Sequence, residues 1–351
     1  MLRFVVRLQQ AWATRGPLAR VLWPVAALYA ALTSLRRTLY RIGWLRTERL
    51  PVRVIVVGNL IAGGAGKTPT VLALAAMLRR HGWAPAIVSR GYGGSRSGVI
   101  AVHADTPASL CGDEPLLVHL RARVPVFVGR DRVGAARALL HVHPEIDVVI
   151  SDDGLQHLRL GRDLQVLVFD ERGAGNGWLL PAGPLREALP RAVPPHSLVL
   201  YNSAQATTAL PGSLAQRQLG GAVALDAWWR GAPARREILD ALRGQRIVAA
   251  AGIARPERFF AMLRETGLEI EALALADHCS YAVLPWPPGS ADVVVTEKDA
   301  VKLDPARMHG TRVWVAALDF VPAPAFDAQV LRMLGPAPTP ATASAHGNPT
   351  A

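Results

Sequence analysis

Lysine is the scarcest charged residue of this 351-residue chain: it occurs only at Lys67, Lys298 and Lys302, while lysine and arginine together number 39. Acidic residues are also in short supply, and the 27 aspartates and glutamates leave a net charge of +12. This excess of arginine predicts an anionic partner, which can be a nucleotide, a nucleic acid or an acidic lipid. Lys67 lies in a glycine-rich segment, where lysine in an arginine-rich chain indicates a need for the compact ammonium group.

Cysteine is scarce, and aromatic residues are not interleaved with basic ones. The two cysteines, Cys111 and Cys279, lie far apart without the spacing of metal ligands, which favours a reduced cytosolic compartment. The arginines are scattered or flank an N-terminal apolar segment, and no stretch resembles a stacking platform for single-stranded nucleic acid. The sequence therefore predicts no nucleic-acid partner.

The clearest motif is a glycine-rich loop that follows an apolar strand and precedes a helix. The β-branched run Val54–Val57 leads through Gly58 to a Gly-Lys-Thr triplet, and Pro69 suits the first turn of a helix. This order is typical of the phosphate-binding loop of kinases and nucleotide hydrolases, in which backbone amides and a helix N-terminus surround phosphate oxygens. Ile61 replaces the first glycine of the strict pattern, so an ordinary glycine-rich turn is the alternative.

We predict that this loop binds a nucleotide. Lys67 would reach the β- and γ-phosphates, and the hydroxyl of Thr68 would ligate Mg²⁺. A second apolar strand ends in Asp152-Asp153-Gly154, where P-loop proteins place the acid that holds Mg²⁺. A solvated Asp-Asp-Gly turn is the alternative. The predicted nucleotide-binding residues are Gly63, Gly64, Ala65, Gly66, Lys67 and Thr68.

One apolar run, Pro17–Leu35, is about as long as a membrane is thick. Arginines flank both of its ends, and tryptophans and tyrosines lie where interfacial aromatics are expected. We predict a membrane-associated helix that either spans the bilayer or lies in its interface, with arginines meeting anionic head groups. A buried core helix is the alternative, because Arg20 and Pro24 interrupt the run. A cleaved signal peptide is disfavoured, because it would export the nucleotide loop from the cytosol.

After Pro51, short apolar runs alternate with amphipathic segments, as buried parallel strands and their helices do. The predicted fold is α/β, with a P-loop-type parallel sheet flanked by helices and a second, smaller α/β domain. Residues 203–221 change composition and are weakly periodic, which indicates the approach to a domain boundary. The predicted divisions are an N-terminal membrane-associated segment (1–50), a P-loop core (51–205), a smaller C-terminal lid domain (206–335) and a disordered tail (336–351).

Two segments carry groups that can orient or deprotonate an acceptor hydroxyl. Asp113 opens a predicted helix within Gly-Asp-Glu-Pro, where it is either an N-cap or a catalytic carboxylate. Asp277 precedes His278 in a predicted turn, where the pair is either inert or a tuned proton acceptor.

Three arginines, Arg90, Arg130 and Arg186, lie in glycine- or proline-containing loops after strands. Rigid loops with arginine forks suit phosphate or phosphosugar recognition, and solvated loop charge is the alternative. The segment 293–299 approximates the guanine-reading signature, but its lysine falls one place late, which argues against a GTPase.

Taken in order, these motifs resemble the tetraacyldisaccharide 4′-kinase family, the lipid A 4′-kinases of Gram-negative bacteria. The resemblance runs from the apolar segment to about residue 320. The segments that carry it are VGNLIAGGAGKTP, SRGYGG, GDEP, GRDRV, SDDGLQH, PAGPLRE, AGIARPERFF, ADH and VTEKDAVK.

The resemblance implies ATP- and Mg²⁺-dependent phosphorylation of the 4′-hydroxyl of a membrane-embedded acylated glucosamine disaccharide 1-phosphate, which gives lipid IVA. It places the catalytic domains on the cytoplasmic side of the inner membrane and implies that they close on nucleotide. It also implies that Asp113 is the base, that His278 assists it, and that Asp152 and Asp153 serve Mg²⁺. The residues with substrate or supporting roles are Arg90, Glu114, Arg130, Gln156, Arg186 and Glu187. A membrane-bound P-loop NTPase switch acting on a protein partner is the alternative function.

Overall fold

The computed structural model describes residues 10–92, 94, 98–277 and 279–338. The predicted tail lies outside the described residues from residue 339 onward. Helix α1 (Pro17–Arg41) forms the N-terminal segment. Its apolar side chains are largely exposed, with Val21 at 74% and Leu28 at 62%. This exposure excludes the alternative of a buried core helix, while the length and hydropathy of α1 suffice to cross a membrane.

The chain then alternates strands and helices, as predicted. The first strands are β1 (Arg53–Gly58), β2 (Pro85–Ser89), β3 (Ile100–Val102), β4 (Val126–Val128), β5 (Val148–Asp152), β6 (Leu164–Asp170) and β7 (Ser197–Asn202). Their helices are α2 (Lys67–Arg80), α3 (Ala108–Cys111), α4 (Asp113–Ala122) and α5 (Arg132–Val142). The sequence predicted a strand at Val54–Val57, before the glycine loop, and another at Asp147–Ser151, before the paired aspartates. These match β1 and β5 to within one residue. Continuous apolar runs mark them, because both of their faces are buried.

A second series of elements follows. It contains β8 (Ser213–Ala224), α6 (Leu225–Trp229), α7 (Arg236–Ala241), β9 (Arg246–Ala251), α8 (Pro256–Glu265), β10 (Glu269–Ala274), β11 (Asp292–Thr296), α9 (Glu297–Ala300), β12 (Arg312–Pro322) and α10 (Pro324–Leu334). The sequence did not predict β8, which occupies much of the weakly periodic stretch. Its first half is partly exposed, and a register shift opposite Ala317 and Leu318 interrupts its alternation.

The twelve strands found among the described residues form one sheet in the order β10-β9-β11-β12-β8-β7-β6-β1-β5-β2-β4-β3. The first block, from β7 to β4, is parallel, and β3 pairs antiparallel at its edge. The second block, β12-β11-β9-β10, is also parallel. Strand β8 joins the blocks, because it pairs parallel with β7 and antiparallel with β12.

The register of β8 places the two blocks relative to each other. Only Ser213 and Leu214 pair with β7, whereas the following residues to Ala224 pair with β12. The second block therefore lies beyond the carboxyl edge of the first, and its strands run in the opposite direction. As a result, the carboxyl ends of both blocks face each other, and ligands of α/β sheets bind at such ends. The predicted domain boundary at 205/206 precedes β8 by a few residues and stays a prediction.

Helix α10 returns the chain to the first block. It buries Phe326, Val330 and Leu334 and packs against β6 and β7. Asp327 of this helix approaches Arg80 at the end of α2, with an O–N distance of 3.8 Å. The first block is thus completed by the last element of the chain that the structure describes.

Candidate active site

The glycine loop (Gly58–Thr68) leaves the carboxyl end of β1 and enters α2. Gly63 and Gly66 adopt φ values of +91° and +93°, which only glycine adopts without strain. Gly66 is the N-cap of α2, so the positive end of that helix faces the inside of the loop. A side chain at Gly66 would also collide with Asn202, because a Cβ would lie 2.3 Å from its Nδ2.

Side chains from within and outside the loop hold its carbonyl groups. The hydrogen bonds run from Asn59 Nδ2 to Gly63 O (2.9 Å), from Arg172 to Ala62 O (3.2 Å) and Gly64 O (2.7 Å), and from Asn202 Nδ2 to Ala65 O (3.1 Å). Within the described part of the chain, the amides of residues 63–66 donate no hydrogen bond. With its carbonyls turned outward, the loop presents these amides as a binding surface for phosphate oxygens.

The residues that hold the loop are themselves fixed by buried charges. Asp170, at the end of β6, pairs with Arg172 at 2.9 Å. Arg217 of β8 donates from Nε to Asn202 Oδ1 at 2.8 Å. Burial lowers the pKa of Arg217 to about 10, and Arg258 of the second block acts in the same direction. Strand β8 thus contributes directly to the support of the glycine loop.

Lys67 and Thr68 point from the start of α2 toward carboxylates. Lys67 Nζ donates to Asn59 Oδ1 at 3.2 Å and lies 3.7 Å from Asp153 Oδ1. The hydroxyl of Thr68 lies 3.5 Å from Glu114 Oε2. The structure therefore brings together the glycine loop, the acid pair at the end of β5 and the Gly-Asp-Glu-Pro segment.

Asp152 is the buried member of the acid pair, with only 4% of the residue exposed. Its Oδ1 has no hydrogen-bond partner within the described residues. Burial, and then the nearby Glu114 carboxylate, raise the pKa of Asp152 to about 7 against the opposing effect of Lys67. A buried carboxylate oxygen without a partner is suited to a cation.

Asp153 has a different environment, although it is adjacent to Asp152. It adopts a left-handed backbone conformation (φ +48°), and Arg186 donates to both of its oxygens, at 3.0 and 3.3 Å. Burial alone would raise its pKa, but Lys67 and Arg186 together lower it below its usual range. Arg186 also lies 3.4 Å from Gln156 Oε1, so three predicted residues form one network here.

These groups fit Mg²⁺, although no cluster of three or more His, Cys, Asp or Glu residues suited to a metal exists among the described residues. Mg²⁺ usually takes one or two protein carboxylates and completes its shell with water and phosphate oxygens. The unpartnered oxygen of Asp152 and the hydroxyl of Thr68 are ligands of the required kind.

Asp113 and Glu114, which we call the acceptor carboxylates, begin α4. Lys302 Nζ lies 4.0 Å from Asp113 Oδ2 and 3.3 Å from Asp299 Oδ1. Lys298 Nζ lies 3.7 Å from Glu114 Oε1 and 3.2 Å from Asp277 Oδ1. Both lysines come from the segment after β11, so the second block supplies cations to carboxylates of the first. His278, predicted to assist Asp113, lies outside the described residues.

Arg90 and Arg130 lie in a separate part of the site. They line a cavity of about 250 Å³, whose other walls include Gly91, Tyr92 and Leu110. Neither arginine makes a described contact with the acid pair.

The buried Arg132 lies between this cavity and the acid pair. It donates a hydrogen bond to Gly129 O at 2.9 Å, and the carboxylates of Asp152 and Asp153 both raise its pKa. Burial lowers the pKa of Arg132, and Asp152 opposes that effect.

Glu187 pairs with the N-terminal helix. Its Oε2 lies 2.8 Å from Arg37 of α1, and the hydroxyl of Tyr29 donates to the carbonyl of Arg186 at 3.0 Å. The N-terminal helix therefore contacts the loop that carries Arg186, the arginine that pairs with Asp153.

Sequence reasoning missed several residues of this site. They are Asn59, Arg132, Arg172, Asn202, Arg217, Lys298 and Lys302. The two lysines carried a usable signal, because all three lysines of the chain lie beside carboxylates of the site. The arginines carried none, because arginine is common throughout the chain.

A family model described as tetraacyldisaccharide-1-P 4′-kinase matches residues 18–335. The chain is 57% identical over 334 residues to a tetraacyldisaccharide 4′-kinase of Methylibium petroleiphilum, covering 94% of this chain and 93% of that one. It is 55% identical over 322 residues to one of Leptothrix cholodnii, covering 91% and 92%.

A solved structure is also similar. It is a crystal structure of LpxK from Aquifex aeolicus in complex with ATP, with a TM-score of 0.76 and 27% sequence identity. The match covers 91% of this chain and 100% of that one.

Proposed function

Because the chain belongs to the tetraacyldisaccharide-1-phosphate 4′-kinase family, it transfers phosphate from ATP to the 4′-hydroxyl of the tetraacyldisaccharide 1-phosphate in lipid A biosynthesis, and we propose that the transfer occurs between the two blocks. The observation that carries this placement is the meeting of the glycine loop, the acid pair and the acceptor carboxylates at facing strand ends. Family membership does not support the alternative of an NTPase switch.

We propose that the glycine loop holds the triphosphate. The amides of residues 63–66 would bind phosphate oxygens, and Lys67 would bind the β- and γ-phosphates. Thr68 with Asp152 and Asp153 would hold Mg²⁺. When bound, Mg²⁺ neutralises charge that develops on the transferred phosphate. The unpartnered oxygen of Asp152 supports its assignment as a metal ligand.

We propose that Asp113 accepts the proton of the lipid 4′-hydroxyl while the oxygen of that hydroxyl attacks the γ-phosphorus of ATP. The bond from phosphorus to the bridging oxygen breaks, and ADP leaves with the electron pair. His278 would take part in this proton transfer. The place of Asp113 at the start of α4, beside Glu114 and Thr68, supports the assignment.

The remaining predicted residues would serve the lipid head group or the frame of the site. Arg90, Arg130 and Arg186 would bind anionic groups of the substrate, while Gln156 would hold Arg186. Glu114 would orient Thr68, and Glu187 would fix the Arg186 loop against α1. The first and second blocks would act as a core and a lid, divided near residue 205.

We propose that α1 attaches the enzyme to the inner membrane, with the catalytic blocks on the cytoplasmic side and flanking arginines on anionic lipids. Exposed apolar side chains along α1 support this placement. They are Val21, Trp23, Val25, Leu28, Leu32 and Leu35.

The central test is the substitution Asp113→Ala. We expect phosphorylation of the lipid to fall by about 10²- to 10⁴-fold, because the hydroxyl loses its proton acceptor. ATP affinity should stay nearly unchanged, since Asp113 is not part of the glycine loop. Lipid product and ATP binding are measured side by side, and near-normal turnover would remove Asp113 from the role of base.

A further inference from the structure

Lys302 is a buried cation that the proposed mechanism does not use. Only 7% of its side chain is exposed, and a buried ammonium is costly unless it is paired. Two carboxylates and one aromatic ring surround it. The distances from Nζ are 3.3 Å to Asp299 Oδ1, 4.0 Å to Asp113 Oδ2 and 5.2 Å to the centre of the Tyr281 ring.

The partners on one side of Lys302 are fixed by the fold of the second block. Asp299 is fully buried and accepts hydrogen bonds from Thr296 Oγ1 (2.6 Å) and from the amide of Gly252 (3.1 Å). The Tyr281 ring, also buried, offers its face to the ammonium. The ammonium is therefore held in one place, from which it reaches toward Asp113.

The composition of the chain supports a specific need for lysine at this position. The chain uses arginine almost everywhere else, yet Lys302 is one of its three lysines. A guanidinium is a broad planar fork, whereas an ammonium is a compact charge that fits between two carboxylates. If this position needed only a positive charge, arginine would serve as well as lysine.

We propose that Lys302 is a positioning residue, which holds the Asp113 carboxylate in the orientation needed to accept the proton of the lipid hydroxyl. This inference rests on the proposed role of Asp113. Because Lys302 belongs to the second block and Asp113 to the first, the contact also makes the geometry of the base depend on how the blocks meet.

The test compares Lys302→Gln and Lys302→Arg with the unchanged enzyme, assayed as the full chain with ATP and lipid disaccharide in mixed micelles. We expect Lys302→Gln to lower kcat by about 10- to 100-fold, because a misplaced base is a poor proton acceptor. The KM values for ATP and for lipid should change little. Lys302→Arg should recover part of kcat, because it keeps the charge. Arg264→Gln, which removes an exposed charge from α8, is the matched control.

Other outcomes would overturn the inference. An unchanged kcat in Lys302→Gln would show that the contact has no effect on the base. A raised KM for lipid or ATP would assign Lys302 to ligand binding. A loss of melting temperature that Lys302→Arg does not relieve would assign it to folding. Asp113→Asn, assayed in parallel, separates the two proposals: if that variant loses turnover and Lys302→Gln does not, only the role of Lys302 fails.

Discussion

The two halves of the site are built in different ways. The nucleotide half, the glycine loop, is held by hydrogen bonds of 2.7–3.2 Å to its carbonyl groups. The acceptor half consists of Asp113 and Glu114, whose contacts with Lys302 and Lys298 are 4.0 and 3.7 Å long and cross between blocks. The nucleotide half is therefore held mainly by side chains of the first block, whereas lysines of the second block contact the carboxylates of the acceptor half.

This difference separates the expected kinetic effects. Damage to the nucleotide half should appear in the KM for ATP, because the loop binds phosphate before transfer. Damage to the acceptor half should appear in kcat, because its groups act on the hydroxyl during transfer. The substitutions of Asp113 and Lys302 described above address the acceptor half and have the largest expected effects.

Arg172→Met tests the nucleotide half. Loss of two charge-assisted hydrogen bonds to loop carbonyls should raise the KM for ATP by about tenfold, with a smaller change in kcat. Steady-state kinetics with varied ATP measure it. Arg191→Met, which alters an exposed arginine away from the loop, is the control. If Arg172→Met lowered kcat and left the KM for ATP unchanged, the expected kinetic difference between the two halves of the site would be wrong.

Exchange of charges between Arg37 and Glu187 tests whether α1 supports the site. Each single variant, Arg37→Glu or Glu187→Arg, should lower lipid turnover by about two- to fivefold, as expected of a partly exposed ion pair. The double variant should recover activity, because the pair is restored in reverse. Arg36→Glu changes the same charge on the same helix as a control. Failure of the double variant to recover would mean that the pair does not position the Arg186 loop.

His157 gives the smallest expected effect, on stability. Burial, and then Arg132, lowers the pKa of His157 to about 4. Between about pH 6.5, the ordinary pKa of histidine, and about pH 4, the unfolded chain binds a proton at His157 that the folded chain does not bind. The free energy of unfolding therefore falls as the pH falls through this range. His157→Gln should remove about 1–3 kcal/mol of this loss.

Urea unfolding at about pH 7.5 and about pH 5 measures the effect of His157→Gln. The exposed His141→Gln is the control. An unchanged difference between the two pH values in His157→Gln would assign the acid sensitivity to other groups.

Local pattern was sufficient to predict the strands and the helix that surround the glycine loop. The strand, glycine loop and helix follow each other in sequence, and the paired aspartates end a continuous apolar strand. Each of these elements can therefore be recognised from its local sequence. The α/β class followed from the same alternation. The assignment of Asp113 and Glu114 to the site depended instead on family resemblance, because the sequence alone allowed Asp113 to be a helix N-cap. In the structure the N-cap is Gly112, and Asp113 is the first residue of α4.

The remaining features depend on contacts that are distant in sequence. Arg172 and Arg217 lie more than one hundred residues after the loop they support, and nothing local distinguishes them from other arginines. Strand β8 escaped prediction because its bulge at Gly220 and Gly221 breaks the two-residue period. The scarcity of lysine was visible from the start, but only the fold reveals that Lys298 and Lys302 meet the carboxylates of another block.

Helix α10 has a consequence for how the protein is made. The ribosome releases the strands of the first block early, yet Phe326, Val330 and Leu334, which cover β6 and β7, emerge only after the entire second block. Until then the apolar surface of those two strands has no cover from this helix. The nucleotide half, although formed from early sequence, thus reaches its final packing only near the end of synthesis.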